Sequence, residues 1–170
     1  DNDASGSTAS PYTSAVFSNM TFVGPKATDA NFVNTNSYIN AGDLFPSNGS
    51  ALGLFQSAMQ IRRGSRLNCI NSVAMGWPIG VIIDGEKGDT QQQARNGGFK
   101  LQNVWFADMT ITGSDANKLY KDNLVTGYDA NKKPIVDESK TSFSSTWFLQ
   151  QTGNRADANT DSWLVQPLAG

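Results

Sequence analysis

Charged side chains suited to polysaccharide chemistry lie in and beside the apolar runs of this chain. Arg62, Arg63 and Arg66 form a basic row, and Asp84 and Asp108 each end an apolar run. A lyase needs a basic residue to remove a proton, and a glycoside hydrolase needs carboxylates about 5 to 9.5 Å apart. The sequence gives no reason to expect the carboxylates of Asp84 and Asp108 at that distance from each other. We therefore expect the arginines to form a solvent-facing row or to hold an Asp or Asn of a neighbouring strand.

Two acidic segments share features with calcium sites. Asp1 and Asp3 have the spacing that opens a calcium loop, but position 12 is Tyr12 rather than the expected bidentate Glu. Asp84 and Asp89 flank a second acidic segment that contains glycine. We interpret the first segment as solvated polar chain and the second as a loop, with calcium at either one as the alternative. No other cofactor is predicted.

The composition excludes several classes of function. Histidine is absent from the 170 residues, which excludes histidine-dependent triads, imidazole acid–base catalysis and histidine–metal sites. The net charge is −2 with no basic patch, so nucleic acid is not an expected partner. No run of apolar residues is long enough to predict a membrane span. There is no signal peptide at Asp1, so we expect the mature or trimmed part of a protein. The single cysteine, Cys69, is expected in the core.

Aromatic side chains offer a second possible binding surface. Trp147, Phe148 and Trp163 lie in or beside a long polar segment, and we predict them as platforms on which a ligand such as a glycan stacks. Burial in the core is the alternative for these rings. Trp77 and Trp105 are expected to pack structurally, because large aromatic side chains are mostly buried.

The elements that must position these side chains are short alternating strands. Residues 58–85, AMQIRRGSRLNCINSVAMGWPIGVIIDG, hold several alternating runs separated by turn residues and no helix-length pattern. The connections lack the Asn-Gly pairs that two-residue hairpins favour. A chain that turns the same way after each strand satisfies this pattern. The segment therefore predicts an all-β solenoid.

A shared Asn indicates repetition along the chain. The runs AVFSNMTFVG, LNCINSVAMG and FKLQNVWFAD align on Asn19, Asn71 and Asn103, each with apolar residues on both sides. Asn suits a sharp bend because it tolerates the left-handed region of φ and ψ. We expect the three residues to occupy equivalent turns and their side chains to bond to one another. The alternative is a β-sandwich of unrelated strand pairs.

Two long excursions interrupt the repeats of a single domain that spans residues 1–170. Residues 26–57 are rich in Asn, Ser and Gly and are expected to form a loop. Residues 114–161 are expected to carry a hairpin near Tyr128 and a short helix over residues 144–151 with a Ser cap and a closing Gly153. Function on a solenoid is expected in such excursions.

Three blocks of sequence resemble a known family. DNDASGS, SPYTSAVFSNMTFVGPKAT and MQIRRGSRLNCINSVAMGWPIGVIIDG resemble, in the same order, blocks of large secreted or surface β-helix proteins from Bacteroidetes-type bacteria. The resemblance implies a single-stranded right-handed parallel β-helix, a pectin-lyase-like solenoid with long loop excursions. It also implies export to the extracellular space or the outer-membrane surface of a Gram-negative bacterium, as part of a longer precursor. The family offers no activity that can be transferred to named residues.

These observations favour a non-catalytic surface protein that binds glycan or protein, mediates adhesion or serves as a spacer. A polysaccharide lyase or glycoside hydrolase, with its catalytic residues at strand ends or outside this segment, is the alternative. Neither terminus resembles the cap that usually covers the end of a solenoid. We therefore expect exposed ends that require the rest of a precursor or another surface protein.

Overall fold

The structure is a computed structural model, and it describes residues 10–28, 57–86, 88–116, 125–128, 130, 134–137 and 139–157. Within these ranges the chain forms strands and three short helices. In chain order the elements are β1 (Val16–Ser18), β2 (Thr21–Val23), α1 (Pro25–Thr28), β3 (Ser57–Ile61), β4 (Asn68–Met75), β5 (Ile79–Ile83), α2 (Thr90–Arg95), β6 (Leu101–Ala107), β7 (Ile111–Ser114), β8 (Val125–Tyr128), β9 (Pro134–Val136), α3 (Phe143–Gln150) and β10 (Arg155–Asp157).

Most of these strands belong to two parallel sheets. The main sheet has the order β1-β4-β6-β10, and β2 also pairs with β4, so that β1 and β2 together form one edge. The second sheet has the order β3-β5-β7. Strands β8 and β9 form a separate antiparallel pair. The chain repeatedly passes from a main-sheet strand to a second-sheet strand, as in β4 to β5 and β6 to β7.

The predicted all-β, single-stranded parallel β-helix is wrong. The described residues form a mostly β structure with some helix, in which parallel strands belong to two sheets, and they show no closed solenoid. The β-sandwich alternative is also wrong, because such sandwiches are built from antiparallel sheets whereas every pair in these two sheets is parallel. The turns expected at Asn71 and Asn103 are bends within strands and do not connect one strand to the next. Both lie inside continuous strands, β4 and β6.

The two sheets share one apolar core. Strand β5 is buried at every position, and inward residues of β4 and β6 such as Cys69 and Phe106 pack into the same cluster. Burial raises the pKa of the Cys69 thiol, as expected for a cysteine that serves as a small core residue. The expected core position of Cys69 is confirmed, whereas β5 departs from the alternation because both of its faces are buried.

Helix α3 closes the core beside β7. Gly113 has no side chain, so the first turn of α3 lies against the β7 backbone, and a Cβ on Gly113 would lie only 2.6 Å from the Ser145 nitrogen. Ser142 caps the helix by accepting the Ser145 N–H, and its hydroxyl donates to the Gly113 carbonyl at 2.7 Å. Ser144 lies against the ends of β5 and β7, where its Oγ is 2.8 Å from the Ser114 carbonyl oxygen and accepts the Ile83 N–H at 3.2 Å.

Two aromatic residues of α3 fill the core. Trp147 is 7% exposed and donates its indole N–H to the Ala94 carbonyl, and its ring is 5.3 Å from that of Phe99. Phe148 is fully buried and stacks on Phe106 with 4.2 Å between ring centroids. The helix therefore covers the core beside β7, whereas the two termini that were expected to be bare lie almost entirely outside the described residues.

We predict that Trp147→Ala lowers the free energy of unfolding by roughly 3 to 5 kcal/mol, because it leaves a cavity in the core and removes the indole bond to the Ala94 carbonyl. Leu149→Ala is the control, since Leu149 lies two residues away on the same helix but is 51% exposed. Its effect should stay within about 0.5 kcal/mol. Urea unfolding of both variants measures the difference. Equal destabilisation would show that α3 does not close the core in this way.

Candidate functional site

The asparagines predicted to be equivalent lie side by side in the main sheet. Ser18 pairs with Ile70, and Ser72 pairs with Val104, so Asn19, Asn71 and Asn103 occupy the same register position. Their φ angles are 55°, 50° and 52°. Asn tolerates this left-handed region better than other residues with a side chain. The Asn103 side-chain N–H donates to the Asn71 side-chain oxygen at 3.0 Å.

Glycine takes the corresponding position two residues before β10, the fourth strand of the main sheet. The Asn103 N–H donates to the Thr152 carbonyl, and Arg155 pairs with Trp105, which places Gly153 opposite Asn103. Gly153 has a φ of 70°, and a Cβ there would collide with the Asn103 side-chain oxygen. The row of asparagines therefore ends at Gly153, where the backbone bend continues without a side chain.

The bend changes which side chains point inward. Before it, Phe17, Cys69 and Leu101 form an inward row, and after it Phe22, Ala74 and Phe106 form another. In these three strands inward residues lie two positions before and three positions after the left-handed residue, and Ser72 and Val104, one position after it, are buried as well. This asymmetric spacing is a signature of the main sheet.

The core is open at the edge formed by β1 and β2, which we call the open edge. Four large apolar side chains are exposed there: Val16 by 67%, Phe17 by 39%, Met20 by 37% and Val23 by 39%. Of these four, Phe17 borders an apolar cavity of about 210 Å³, which is also lined by Phe22, Met59, Leu67 and Cys69. Single apolar residues are normal on a surface, but an exposed aromatic ring that borders an apolar cavity at a sheet edge indicates an interaction site.

The basic row is divided between separate contacts. Arg62 follows β3 and lies with its Nε 3.8 Å from the Asp84 carboxylate at the end of the neighbouring β5. Arg66 lies over the Tyr12 ring, with 3.8 Å between the guanidinium carbon and the ring centroid. Arg63 has a φ of 55° in the turn after β3. The structure thus brings Arg62 together with Asp84 and places Arg66 against an aromatic ring.

Asp84 has the electrostatics of a possible acid. It is 1% exposed, and burial raises the pKa of its carboxyl above the ordinary value of 3.8. The hydrogen bond from the Glu86 backbone N–H, at 2.8 Å, lowers the pKa of Asp84, and the charge of Glu86 raises it. The charges of Arg62 and Arg63 lower that pKa as well. The neutral form is therefore favoured more than in an exposed aspartate.

The calcium candidates do not form a ligand set in the described residues. Asp84 accepts the Glu86 N–H, and Asp89 accepts the Gln93 side-chain N–H at 2.7 Å. Within the part of the chain that the structure describes, no group of three or more acidic, cysteine or histidine residues has the arrangement of a metal site. Asp1 and Asp3 lie outside the described residues.

The predicted stacking platforms are not available to a ligand. Trp147 and Phe148 are buried in the core, because α3 turns its aromatic face toward β6 and α2. That correction follows from tertiary packing, which the polar sequence around these residues conceals. Trp163, the third predicted platform, lies outside the described residues.

Sequence reasoning missed a cluster at the opposite edge of the main sheet. The Trp105 indole N–H donates to the Asp157 carboxylate, and the Arg155 guanidinium lies 4.1 Å from the centre of the Trp105 ring. Trp105 follows Asn103 by two residues, so its outward direction was predictable once the bend was placed inside the strand. Asp115 was also missed, although its carboxylate accepts the Phe143 and Ser144 N–H groups at the start of α3.

Comparisons with known protein families, with curated proteins and with solved structures find no match. Among the helices in the described ranges, none is long and apolar enough to span a membrane. These comparisons therefore supply no functional information.

We predict that Asn71→Ala lowers the free energy of unfolding by roughly 1 to 2 kcal/mol, because alanine is strained at a positive φ and the bond to Asn103 is lost. Asn71→Gly relieves the strain and loses only the side-chain bond, so its effect should be smaller, about 0.5 to 1 kcal/mol. Thermal and urea unfolding of the two variants separate these contributions. A melting temperature of Asn71→Ala equal to that of the wild type would contradict the structural role of the bend.

Proposed function

We propose that this chain is a non-catalytic binding module of a secreted or cell-surface protein, and that it binds another protein at the open edge. The observation that carries the proposal is the contrast between the two ends of the core. At one end, α3 inserts Trp147 and Phe148. At the other, Phe17 and its neighbours remain exposed, and Phe17 borders an apolar cavity.

Backbone geometry supports a protein partner. In the described residues, β1 and β2 pair with β4 on one side and with no strand on the other. An edge strand presents unpaired N–H and C=O groups to which another chain can add a strand. Apolar pockets beside such an edge supply the specificity, because alternate side chains of the added strand point into them.

A glycan partner receives less support. Glycan sites commonly use exposed aromatic faces, and Trp147 and Phe148 are buried. The half-buried Trp105 is covered on one face by the Arg155 guanidinium. The exposed amides of Asn71 and Asn103 bond to each other. We therefore place protein binding ahead of glycan binding.

The second candidate function is a polysaccharide lyase or hydrolase centred on Asp84. Its raised pKa and its neighbour Arg62 favour that alternative, since general acids commonly have such environments. However, Asp84 is 1% exposed. Asp108, the other carboxylate at the end of an apolar run, forms an ion pair with Lys26 at 2.9 Å. Both carboxylates thus have structural partners.

The location outside the cell, on the surface of a Gram-negative bacterium, belongs to the same proposal. It is supported by the resemblance of the blocks around Asn19 and Asn71 to those of secreted or surface β-helix proteins. Attachment to a longer precursor or another surface protein is part of this hypothesis.

The proposal predicts binding to extended peptides with alternating apolar residues. Wild-type protein should bind such peptides on an array, and Phe17→Glu should weaken binding by about tenfold or more, because it places a charge in the open apolar end. Ile135→Glu is the matched control, since Ile135 is a 49% exposed apolar residue on β9. It should bind as the wild type does.

A glycan array and a polysaccharide cleavage assay complete the experiment. Binding only to glycans, unchanged by Phe17→Glu, would contradict the protein-binding proposal. Release of unsaturated uronides or reducing ends that is lost in Asp84→Asn would establish the enzymatic alternative instead.

A further inference from the structure

We infer that the open edge accepts one strand of a separate polypeptide, in parallel orientation, with a left-handed Asn or Gly opposite Asn19. That strand carries apolar residues two positions before and three positions after its left-handed residue. The inference rests on the proposed function and specifies the partner's sequence pattern and direction.

The backbone of the open edge defines where the strand bonds. The Ala15 carbonyl and the Asn19 N–H bond to β4, so the alternation of a strand turns the N–H and C=O groups of Val16 and Ser18 away from β4. After the bend, the Met20 carbonyl and the Gly24 N–H bond to β4. The groups of Thr21 and Val23 therefore also face outward. The edge offers two short rows of bonding groups that flank the bend.

The bend restricts the sequence of the added strand. Asn19 has a φ of 55°, and each neighbour in the sheet bends at the same register position through Asn71, Asn103 or Gly153. A straight strand would pair with β1 or with β2 but not with both. Asn or Gly is favoured at the matching position because these residues reach the left-handed region at least cost.

The cavity defines the apolar positions. Phe17 and Phe22 both point inward and line the cavity, and they lie two residues before and three residues after Asn19. A parallel strand added outside β1 and β2 places its own apolar residues, two positions before and three positions after its left-handed residue, over the cavity. An antiparallel strand would need the reverse spacing, three before and two after. The asymmetric spacing therefore distinguishes the two directions.

A second copy of the chain does not supply the required strand. The other edge of the main sheet is β10, where Ala156 belongs to the inward row and Gly153 takes the bend. The residue two positions before Gly153 is Gln151, which is polar and ends α3. Gln151 and Ala156 are a poor match for two apolar positions over a cavity. We therefore assign the open edge to a different polypeptide.

The test uses a synthetic peptide with the sequence of residues 99–108, FKLQNVWFAD, which has Leu two positions before Asn and Phe three positions after it. One control peptide exchanges that Leu and Asn, and a second reverses the whole sequence. Binding is measured by fluorescence anisotropy with the wild-type protein. The forward peptide should bind at least about tenfold more tightly than either control.

Two proline variants locate the binding edge. Ser18→Pro removes an outward N–H of β1 without removing a bond to β4, and edge strands tolerate proline. Ala156→Pro does the same at β10, where the Asp157 carbonyl bonds to the Asp108 N–H and the Ala156 N–H faces outward. Ser18→Pro should weaken binding by about tenfold or more, and Ala156→Pro should have no effect. Melting temperatures establish that both variants are folded.

Each other outcome overturns a distinct statement. Equal binding of the exchanged peptide would overturn the register, and tighter binding of the reversed peptide would overturn the parallel direction, while the proposed function would stand. Dimerisation of the free protein that is lost in Ser18→Pro would make a second copy the occupant. Failure of all three peptides, together with an empty peptide array, would overturn the proposed function itself.

Discussion

A left-handed bend at one register position determines the arrangement of the main sheet. Asn19, Asn71 and Asn103 lie at φ angles between 50° and 55°, and Gly153 lies at 70°. Because the bend occurs at the same place in each strand, the backbone ladder continues on both sides of it, from Cys69 and Leu101 to Ala74 and Phe106. A strand without this bend would place one half of its side chains on the wrong face.

The two ends of the core differ in how the last strands are covered. Beside β7, the absence of a side chain at Gly113 lets α3 approach, and Trp147 and Phe148 fill the space over Phe99 and Phe106. Beside β1, the exposed Phe17 borders an apolar cavity of about 210 Å³. The binding proposal follows from this difference between the two ends. The buried Asp84 carboxyl already has structural partners, since it accepts the Glu86 N–H and lies beside Arg62.

The sequence predicted local features better than it predicted how strands assemble. Alternation predicted strands within residues 58–85, where β3, β4 and β5 form, and Cys69 lies in the core as expected, because the two-residue period of a strand is local. The alignment on Asn71 found the repeated bend, since left-handed residues come from a short list of types. Whether the bend lies between strands or inside one depends on pairing with distant residues, and there the predicted solenoid failed.

The candidate site was only partly predictable for the same reason. The polar neighbours of Trp147 predict a surface platform, yet its burial depends on Gly113 and Phe99, which are distant in sequence. Arg62 and Asp84 are 22 positions apart and meet only because β3 pairs with β5. The open edge itself has no sequence signature, since Val16 and Phe17 resemble the apolar residues of any buried strand.

Amide hydrogen exchange along β1 and β2 tests the central claim most directly, because the open edge requires protection to alternate with residue number. The N–H groups of Phe17 and Asn19 face β4 and should exchange slowly, whereas those of Val16, Ser18, Thr21 and Val23 should exchange quickly. NMR-detected exchange of the free protein resolves these residues individually. Uniform protection of the six amides would show that the edge is already covered, and that result would contradict the account.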